Sequence, residues 1–327
     1  MALLGGPDRR RCACGRGVPV DRGRRRLTTR IDRDFSSRGV RCAGTLYLPD
    51  GVLRPPVIVM GHGFGAERSW GLPLFVERFS EAGFASFLFD YRGFGDSDGE
   101  PRRVVSPRRH IQDFETAVEH VRLFAEIDPN RLVLWGTSLG GGHALTMASR
   151  GVRCAAVIAH VPHVDAMASL TGDAIGPVQL LKLSAAGVRD AFRAATLRDP
   201  YYVAALGRPD EIAIMNTEDA WEGFLTLLPP GAPFDNRCAA RIALTFPFYR
   251  PIRHVSKITV PTLLVGATQD SLIPIEAARK AVGLIPNGQL VELDCSHFAP
   301  YSGDWFNKSV AAQLTFLSDA LALPPPT

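Results

Sequence analysis

The pentapeptide Gly136-Thr137-Ser138-Leu139-Gly140 is the part of this chain whose residue types and spacing most directly indicate chemistry. It follows an apolar run at 131–135 and precedes a helix-like stretch at 141–150, so it predicts a strand, a sharp turn and a helix. A serine at such a turn has a strained backbone, and the flanking glycines avoid clashes with the neighbouring strand and helix. Its hydroxyl lies at a helix N-terminus, which favours developing negative charge. We therefore predict that Ser138 is a nucleophile.

A serine hydroxyl needs a histidine to take its proton and a carboxylate to hold that histidine in the correct tautomer. Asp270 follows a predicted strand at 260–266, and His297 follows the last predicted strand, so both lie on loops at strand ends. The order Ser138, Asp270, His297 is expected when three residues come from successive strand ends of one parallel sheet. Taken alone, Asp270 could instead cap the next helix or stabilise a turn, and His297 could be a surface-loop histidine.

Acyl transfer also needs hydrogen-bond donors for the oxyanion that forms in the transition state. The backbone amide of Leu139, directly after the nucleophile, is the first predicted donor. The second is the amide of Phe64, because the loop Gly61-His62-Gly63-Phe64-Gly65 follows a predicted strand and its glycines allow close approach to a substrate. His62 is predicted to form a hydrogen bond within this loop.

The elements that must position these residues alternate along the chain. Predicted strands that alternate with predicted helices indicate crossover connections, and hence a mostly parallel sheet covered on both faces. The fold class predicted is α/β, with a central sheet flanked by helices. Predicted strands lie at 38–47, 56–60, 84–89, 131–135, 154–159, 260–266 and 289–293, and predicted helices at 70–82, 108–126, 141–150, 277–285 and 305–323.

Residues 161–255 interrupt this alternation and are predicted to form a mainly helical lid inserted in a core made of 28–160 and 256–323. Helical patterns occur at 179–186 and 188–195. Aromatic side chains of the segment are predicted either to line a substrate pocket or to form a small core of the lid itself. They are Phe192, Tyr201, Tyr202, Trp221, Phe224, Phe234, Phe246 and Phe248.

The formal charge of +4 is misleading, because residues 1–30 contain nine arginines and only two aspartates. This Arg-rich leader has no hydrophobic periodicity, so we predict disorder for 1–27, and either a transit peptide or a start codon assigned too far upstream. The 46% hydrophobic and 21% charged content is typical of soluble globular proteins, and no apolar run could cross a bilayer. Scattered cysteines without a secretory signal favour the cytoplasm. Neither nucleic acid nor membrane is expected as a partner.

No cofactor and no metal are expected. The Cys12 and Cys14 pair lacks two further ligands at suitable spacing. His160, His163 and Asp165 could suggest a metal cluster, but a serine mechanism does not require one. The arginines at 102–103 and 108–109 are predicted to lie in a solvated loop and helix start, with a site for an acidic substrate as the alternative.

The chain resembles the α/β-hydrolase superfamily over roughly residues 35–322. The residues that carry the resemblance are the 62–65 loop, the Asp90-Tyr91-Arg92-Gly93-Phe94-Gly95-Asp96-Ser97 loop, the turn around Ser138, Asp270 and His297. It is most similar to the branch grouped with dienelactone hydrolases and S15-type peptidases, which includes esterase-like hydrolases and polyketide-tailoring acyltransferases. The tract 237–252 adds to that similarity.

The leading hypothesis is a serine hydrolase that cleaves a carboxylic ester through an acyl-enzyme on Ser138. An acyltransferase of secondary metabolism would use the same intermediate and pass the acyl group to an alcohol or amine. A peptidase is a less favoured alternative. A protein that binds a ligand without catalysis is also less favoured, because it would tolerate loss of Ser138, Asp270 or His297 and all three are present. A small-molecule ester or acyl compound is the expected partner, whereas the oligomeric state does not follow from the sequence.

Overall fold

The computed structural model describes residues 28–171 and 176–323 and is built around an eight-stranded sheet. The predicted leader with Cys12 and Cys14 lies outside the described residues. The strands are β1 (Thr28–Asp32), β2 (Phe35–Ser37), β3 (Val40–Cys42), β4 (Gly44–Pro49), β5 (Pro56–Gly61), β6 (Ala85–Phe89), β7 (Asp128–Thr137), β8 (Ala156–His160), β9 (Tyr202–Leu206), β10 (Ala213–Met215), β11 (Arg237–Ala239), β12 (Thr262–Ala267) and β13 (Gly288–Leu293).

Helices connect these strands and cover the sheet. They are α1 (Leu72–Glu81), α2 (Pro107–Val121), α3 (Leu139–Ser149), α4 (Ala166–Thr171), α5 (Pro177–Ala195), α6 (Ala220–Leu225), α7 (Ile242–Thr245), α8 (Ile275–Leu284) and α9 (Gly303–Ala320). None of the helices described in 28–171 and 176–323 is long and apolar enough to cross a membrane.

The sheet order is β1-β4-β6-β5-β7-β8-β12-β13, and every pairing from β6 to β13 is parallel. The two strands at the other edge, β1 and β4, are antiparallel to their neighbours. The predicted α/β class with a mostly parallel sheet is confirmed. Because β7, β8, β12 and β13 run in the same direction side by side, the loops after them open at one edge of the sheet.

The two faces of the sheet bury separate hydrophobic cores, as side chains that alternate along strands require. On β5, Val57 and Val59 face one core with Phe114 of α2, while Ile58 and Met60 face the other. On α2 the apolar residues recur at spacings of three and four, and Ile111, Phe114, Val118 and Val121 are all buried. This spacing explains why the helix was predictable.

The chain between β8 and β12, here called the insertion, contains α4 to α7 and a second, three-stranded sheet of order β10-β9-β11. The sequence did not predict these strands. The two helical patterns at 179–186 and 188–195 belong to the single helix α5. Gly187 sits within it because α7 packs closely there: a Cβ at that position would lie 2.9 Å from Leu244 Cγ.

The insertion leaves and rejoins the core through a hydrogen-bonded base. The amide of Ile252 donates to Val164 O at 2.9 Å, and the amide of Ala166 donates to Tyr249 O at 3.1 Å. Between these bonds, the guanidinium of Arg250 contacts both carboxylate oxygens of Asp165 at 2.7 and 2.8 Å. Two segments near the ends of the insertion, 164–166 and 249–252, are therefore held side by side.

Candidate active site

Ser138 occupies the sharp turn between β7 and α3, with φ 53° and ψ −119°. The left-handed φ is unfavourable for serine and is enforced by close packing around it. A Cβ on Gly136 would lie 2.0 Å from Gly140 O, and a Cβ on Gly140 would lie 2.3 Å from Gly61 O. The carbonyl of Ser138 accepts hydrogen bonds from the amides of Gly141 and His163. The turn therefore holds the serine backbone from both sides.

Asp270 and His297 form a buried pair at the ends of two neighbouring strands, β12 and β13. His297 Nδ1 lies 2.5 Å from Asp270 Oδ2, and both side chains are buried. The other carboxylate oxygen, Asp270 Oδ1, accepts the amides of Leu272 at 2.9 Å and Ile273 at 2.8 Å. The two interpretations of Asp270 from sequence, histidine partner and turn acid, thus describe two oxygens of one carboxylate.

Ser138 and His297 line the same small cleft together with Gly63 and Phe64. This small cleft has a volume of about 20 Å³. Its walls are mostly apolar and come from both the core and the insertion: Ala66, Trp70, Leu72, Met215, Phe224, Leu227, Phe298 and Tyr301. Because a water molecule needs about 10–15 Å³ of such volume, the small cleft has room for roughly one water.

Phe64 and Leu139, whose backbone amides are the predicted oxyanion donors, line a second cavity together with Ser138. Among residues 28–171 and 176–323, the amides of Phe64 and Leu139 make no hydrogen bond to another group of the protein. The loop carrying Phe64 comes close to Ser138, since a Cβ on Gly63 would lie 3.2 Å from Ser138 Cβ. The amide of Ser138 itself is occupied by His160 O at 2.8 Å.

The second cavity has a volume of about 100 Å³ and is mainly apolar; it is here called the large cavity only because it is larger than the small cleft. Phe64 and Met215 line both it and the small cleft, so they lie between the two. Most of its wall comes from the insertion: His163, Ser169, Leu180, Leu183, Ile214, Asn216, Thr217, Ile242, Ala243, Phe246 and Pro247.

Of the eight aromatic residues that the sequence singled out, Phe246 lines the large cavity and Phe224 lines the small cleft. Trp221 and Phe234 pack together with Phe224, in a core of the insertion that also contacts Trp70. Phe192 and Phe248 are exposed. Phe246 and Phe224 therefore line cavities, while Phe224 also belongs with Trp221 and Phe234 to a small core of the insertion; a substrate-binding role for them stays a prediction. The cavity residues Met215 and Asn216 were not identified from sequence, because β10 is too short to show a pattern.

The sequence also did not predict a buried group of polar side chains around Thr137, the residue before Ser138. The hydroxyl of Thr137 contacts His160 Nδ1 at 3.0 Å and the hydroxyl of Tyr301. Burial lowers the pKa of His160 to about 3, so its ring is neutral near pH 7. These three side chains come from β7, β8 and the turn before α9 and hold the residue next to Ser138.

The histidines of the neighbouring loops are also held neutral by burial. His62 Nδ1 donates to Gly63 O at 3.0 Å, as expected for a hydrogen bond within the loop, and burial lowers its pKa to about 4. His163 Nε2 lies 3.3 Å from Ser169 Oγ, and burial also lowers its pKa to about 4. His143, on α3, contacts the Tyr249 hydroxyl at 2.8 Å. Each of these rings therefore has a hydrogen-bonding role of its own.

Arg103 differs from the prediction of a solvated loop, since only 6% of its surface is exposed. Its guanidinium contacts Glu67 Oε1 at 2.6 Å and Gly65 O at 3.3 Å, and Asp235 of the insertion at 3.4 Å. Its carbonyl accepts the amide of Ala239 on β11. A run of charged residues indicates solvent exposure only on average. Here three acceptors compensate for the burial of the Arg103 guanidinium.

The sequence model of the alpha/beta hydrolase fold matches residues 56–304, and the chain belongs to this family. The quorum-quenching protein AidA of Acinetobacter baumannii is 37% identical over 287 residues, which are 88% of this chain and 94% of AidA. The polyketide transferase ATR5 of Stachybotrys chlorohalonatus is 33% identical over 182 residues, 55% of this chain and 58% of ATR5. The crystal structure of the alpha/beta hydrolase GrgF from Penicillium sp. sh18 matches with a TM-score of 0.78 at 25% identity, covering 90% of this chain and 100% of that chain.

Proposed function

We propose that this protein is a serine hydrolase that cleaves a carboxylic ester or related acyl bond through an acyl-enzyme on Ser138. The observation that carries the proposal is the buried Asp270–His297 pair, 2.5 Å apart, whose imidazole lines the same small cleft as Ser138. Membership of the alpha/beta hydrolase family supports it. In this proposal the catalytic residues are Ser138, Asp270 and His297.

In the first half of the reaction, His297 Nε2 takes the proton of Ser138 Oγ while Oγ attacks the carbonyl carbon of the substrate. The resulting oxyanion is bound by the amides of Phe64 and Leu139, which have no other partner among the described residues. When the tetrahedral intermediate collapses, the bond to the leaving oxygen breaks, and that oxygen receives the proton from His297. Asp270 stabilises the imidazolium and fixes its tautomer throughout.

In the second half, His297 takes a proton from a water molecule, whose oxygen attacks the acyl-enzyme carbonyl. Collapse of this intermediate breaks the bond to Ser138 Oγ, which recovers the proton from His297, and releases a carboxylic acid. The position of His297 on the small cleft supports hydrolysis, because the incoming oxygen must lie beside the imidazole and that cleft has about 20 Å³ of free volume. The large cavity, which His297 does not line, is the proposed binding site for the acyl group.

Acyl transfer to an alcohol is the second candidate. It is supported by the similarity to the polyketide transferase ATR5 and, at 26% identity over 226 residues, to the polyketide transferase grgF of Penicillium sp.. For transfer, the small cleft must widen by more than one water volume to admit an alcohol. Hydrolysis needs no such change.

The test uses purified protein, a p-nitrophenyl ester, and a fluorophosphonate that labels activated serines. We expect p-nitrophenol and carboxylic acid without any added alcohol, and a covalent adduct on Ser138 detected by mass spectrometry. Ser138→Ala should remove both turnover and labelling, whereas Ser149→Ala, on the same helix and away from the cavities, should change neither. Labelling that persists in Ser138→Ala would assign the nucleophile to another residue. Product that forms only with an added alcohol would replace hydrolysis by transfer.

A further inference from the structure

A third cavity adjoins the large cavity. This polar cavity, of about 650 Å³, shares Ser169, Asn216, Thr217 and Leu272 with the large cavity. The wall of the polar cavity is more polar than that of the large cavity, because it includes Gln179 of α5, Thr268, Ser271 and two glutamates. A substrate whose acyl chain extends through the large cavity therefore reaches hydrogen-bonding groups at its far end.

The charges around the polar cavity all have the same sign. Its ionisable lining residues are Glu218, Asp270 and Glu276, and no lysine, arginine or histidine lines it among the described residues. Asp270 faces His297, and Glu276 has a basic neighbour, Arg279, at 3.3 Å. Arg279, however, also binds both carboxylate oxygens of Glu292 at 2.7 and 2.8 Å. The polar cavity therefore presents a net negative potential to a ligand.

Asn216 adds a buried acceptor at the junction of the two cavities. It is 5% exposed, and its Nδ2 donates to Gln179 Oε1 at 2.6 Å and to the carbonyls of Pro209 and Glu211 at 3.3 Å each. Among the described residues no group donates to Asn216 Oδ1, so this oxygen can accept a hydrogen bond from a ligand that brings a donor.

We propose that the polar cavity is a subsite for the distal end of the acyl chain, selective for a hydrogen-bond donor there. This inference rests on the proposed function and adds a substrate class to it: acyl groups with an apolar segment next to the reacting carbonyl and a hydroxyl, amide or ammonium group at the far end. A distal carboxylate is excluded, because it brings no donor for Asn216 and is repelled by Glu218 and Glu276.

The test compares four p-nitrophenyl esters of equal chain length: octanoate, 8-hydroxyoctanoate, 8-aminooctanoate and the monoester of octanedioate. Relative to octanoate, kcat/KM should rise for the hydroxy and ammonium esters and fall about tenfold for the carboxylate, the size of one hydrogen bond or charge contact. Added salt should reduce the penalty on the carboxylate.

The double variant Glu218→Gln, Glu276→Gln should raise kcat/KM for the carboxylate ester relative to octanoate, because it removes the two repelling charges. Glu119→Gln on α2, which removes an equivalent surface charge away from the cavities, should have no effect on the ranking. Asn216→Leu should abolish the preference for the hydroxy ester over octanoate. Equal kcat/KM for all four esters would overturn this inference and leave the proposed function standing. No turnover of any of the four would overturn the proposed function, and this inference with it.

Discussion

His297 Nδ1 and Asp270 Oδ2 are 2.5 Å apart, although the two residues belong to different strand ends and are separated by a complete helix and strand. The backbone amides of Leu272 and Ile273 hold the second carboxylate oxygen. The carboxylate is thus oriented before any substrate binds, which is the condition for keeping the histidine in one tautomer.

Asp270→Asn should lower kcat for ester hydrolysis by about 10³–10⁴, because an amide cannot stabilise the imidazolium and favours the wrong tautomer. The fold should persist, since the side-chain oxygen can still accept the two amides. The neighbouring acid Asp294, which binds Thr268 and Gln269, provides the matched control. Steady-state kinetics of Asp294→Asn should match the wild type, and equal losses in both variants would contradict the assignment of Asp270.

Gly140→Ala should destabilise the protein by about 3 kcal/mol or more, because the new methyl would lie 2.3 Å from Gly61 O and neither backbone can move freely. Gly283→Ala on α8 is the control: no atom lies within 4 Å of the new methyl. That variant should be stabilised by about 0.5–1 kcal/mol through helix propensity. Urea unfolding measures both. A Gly140→Ala protein as stable as the wild type would show that the turn around Ser138 has room for an added methyl group.

Arg103→Gln should cost about 3–5 kcal/mol of the free energy of unfolding, since Glu67 would lose a cation in a mostly buried setting. Turnover should also fall, because the guanidinium holds the Gly65 carbonyl next to the proposed oxyanion amide of Phe64. Arg279→Gln breaks a more exposed pair with Glu292 and should cost at most about 1 kcal/mol. Comparable losses in the two variants would indicate that Arg103 is solvated after all.

Acid should destabilise the protein through its buried histidines. Burial lowers the pKa of His143 from 6.5 to about 3 in the folded protein. Below about pH 6.5 the unfolded chain therefore binds a proton that the folded chain does not. The free energy of unfolding consequently decreases as the pH is lowered, by about 1.4 kcal/mol per pH unit for one such group. In His143→Gln this contribution disappears, so stability should fall less steeply between about pH 6 and 4. Parallel curves for the two proteins, measured by urea unfolding, would contradict a neutral buried His143.

Enlarging a wall residue should change chain-length preference if the large cavity holds the acyl group. Leu183 of α5 is buried and lines that cavity but not the small cleft. Leu183→Trp should lower kcat/KM for octanoate at least about tenfold relative to acetate, because the added volume occupies the space of distal methylenes. An unchanged acetate-to-octanoate ratio in a panel of p-nitrophenyl esters would move the acyl group elsewhere.

The core elements were predictable because their apolar residues follow a regular period over enough residues. Helix α2 and strand β5 are examples, and the order Ser138, Asp270, His297 along strand ends then located the candidate site. The strands of the insertion were not predictable. β10 and β11 have three residues each, and β11 pairs with β9 from far along the chain, so no local pattern distinguishes them from loops.

Buried polar groups are the second feature that could not be predicted from the sequence. Arg103 carries a full charge beside a second arginine, and single-chain composition gives no sign of the three acceptors that surround it. Thr137, His160 and Tyr301 come together only in three dimensions. Such networks depend on which loops meet, which is decided by the tertiary packing of the insertion against the core.

Hydrogen bonds from Val164 to Ile252 and from Asp165 to Arg250 join the two ends of the insertion. The insertion can therefore be exchanged as a single unit. The proposed catalytic residues lie at the strand ends beneath the insertion, whereas most residues that line the large cavity belong to the insertion. Evolution can therefore lengthen, shorten or exchange the insertion, and so change substrate preference, without altering the geometry of the proposed catalytic residues.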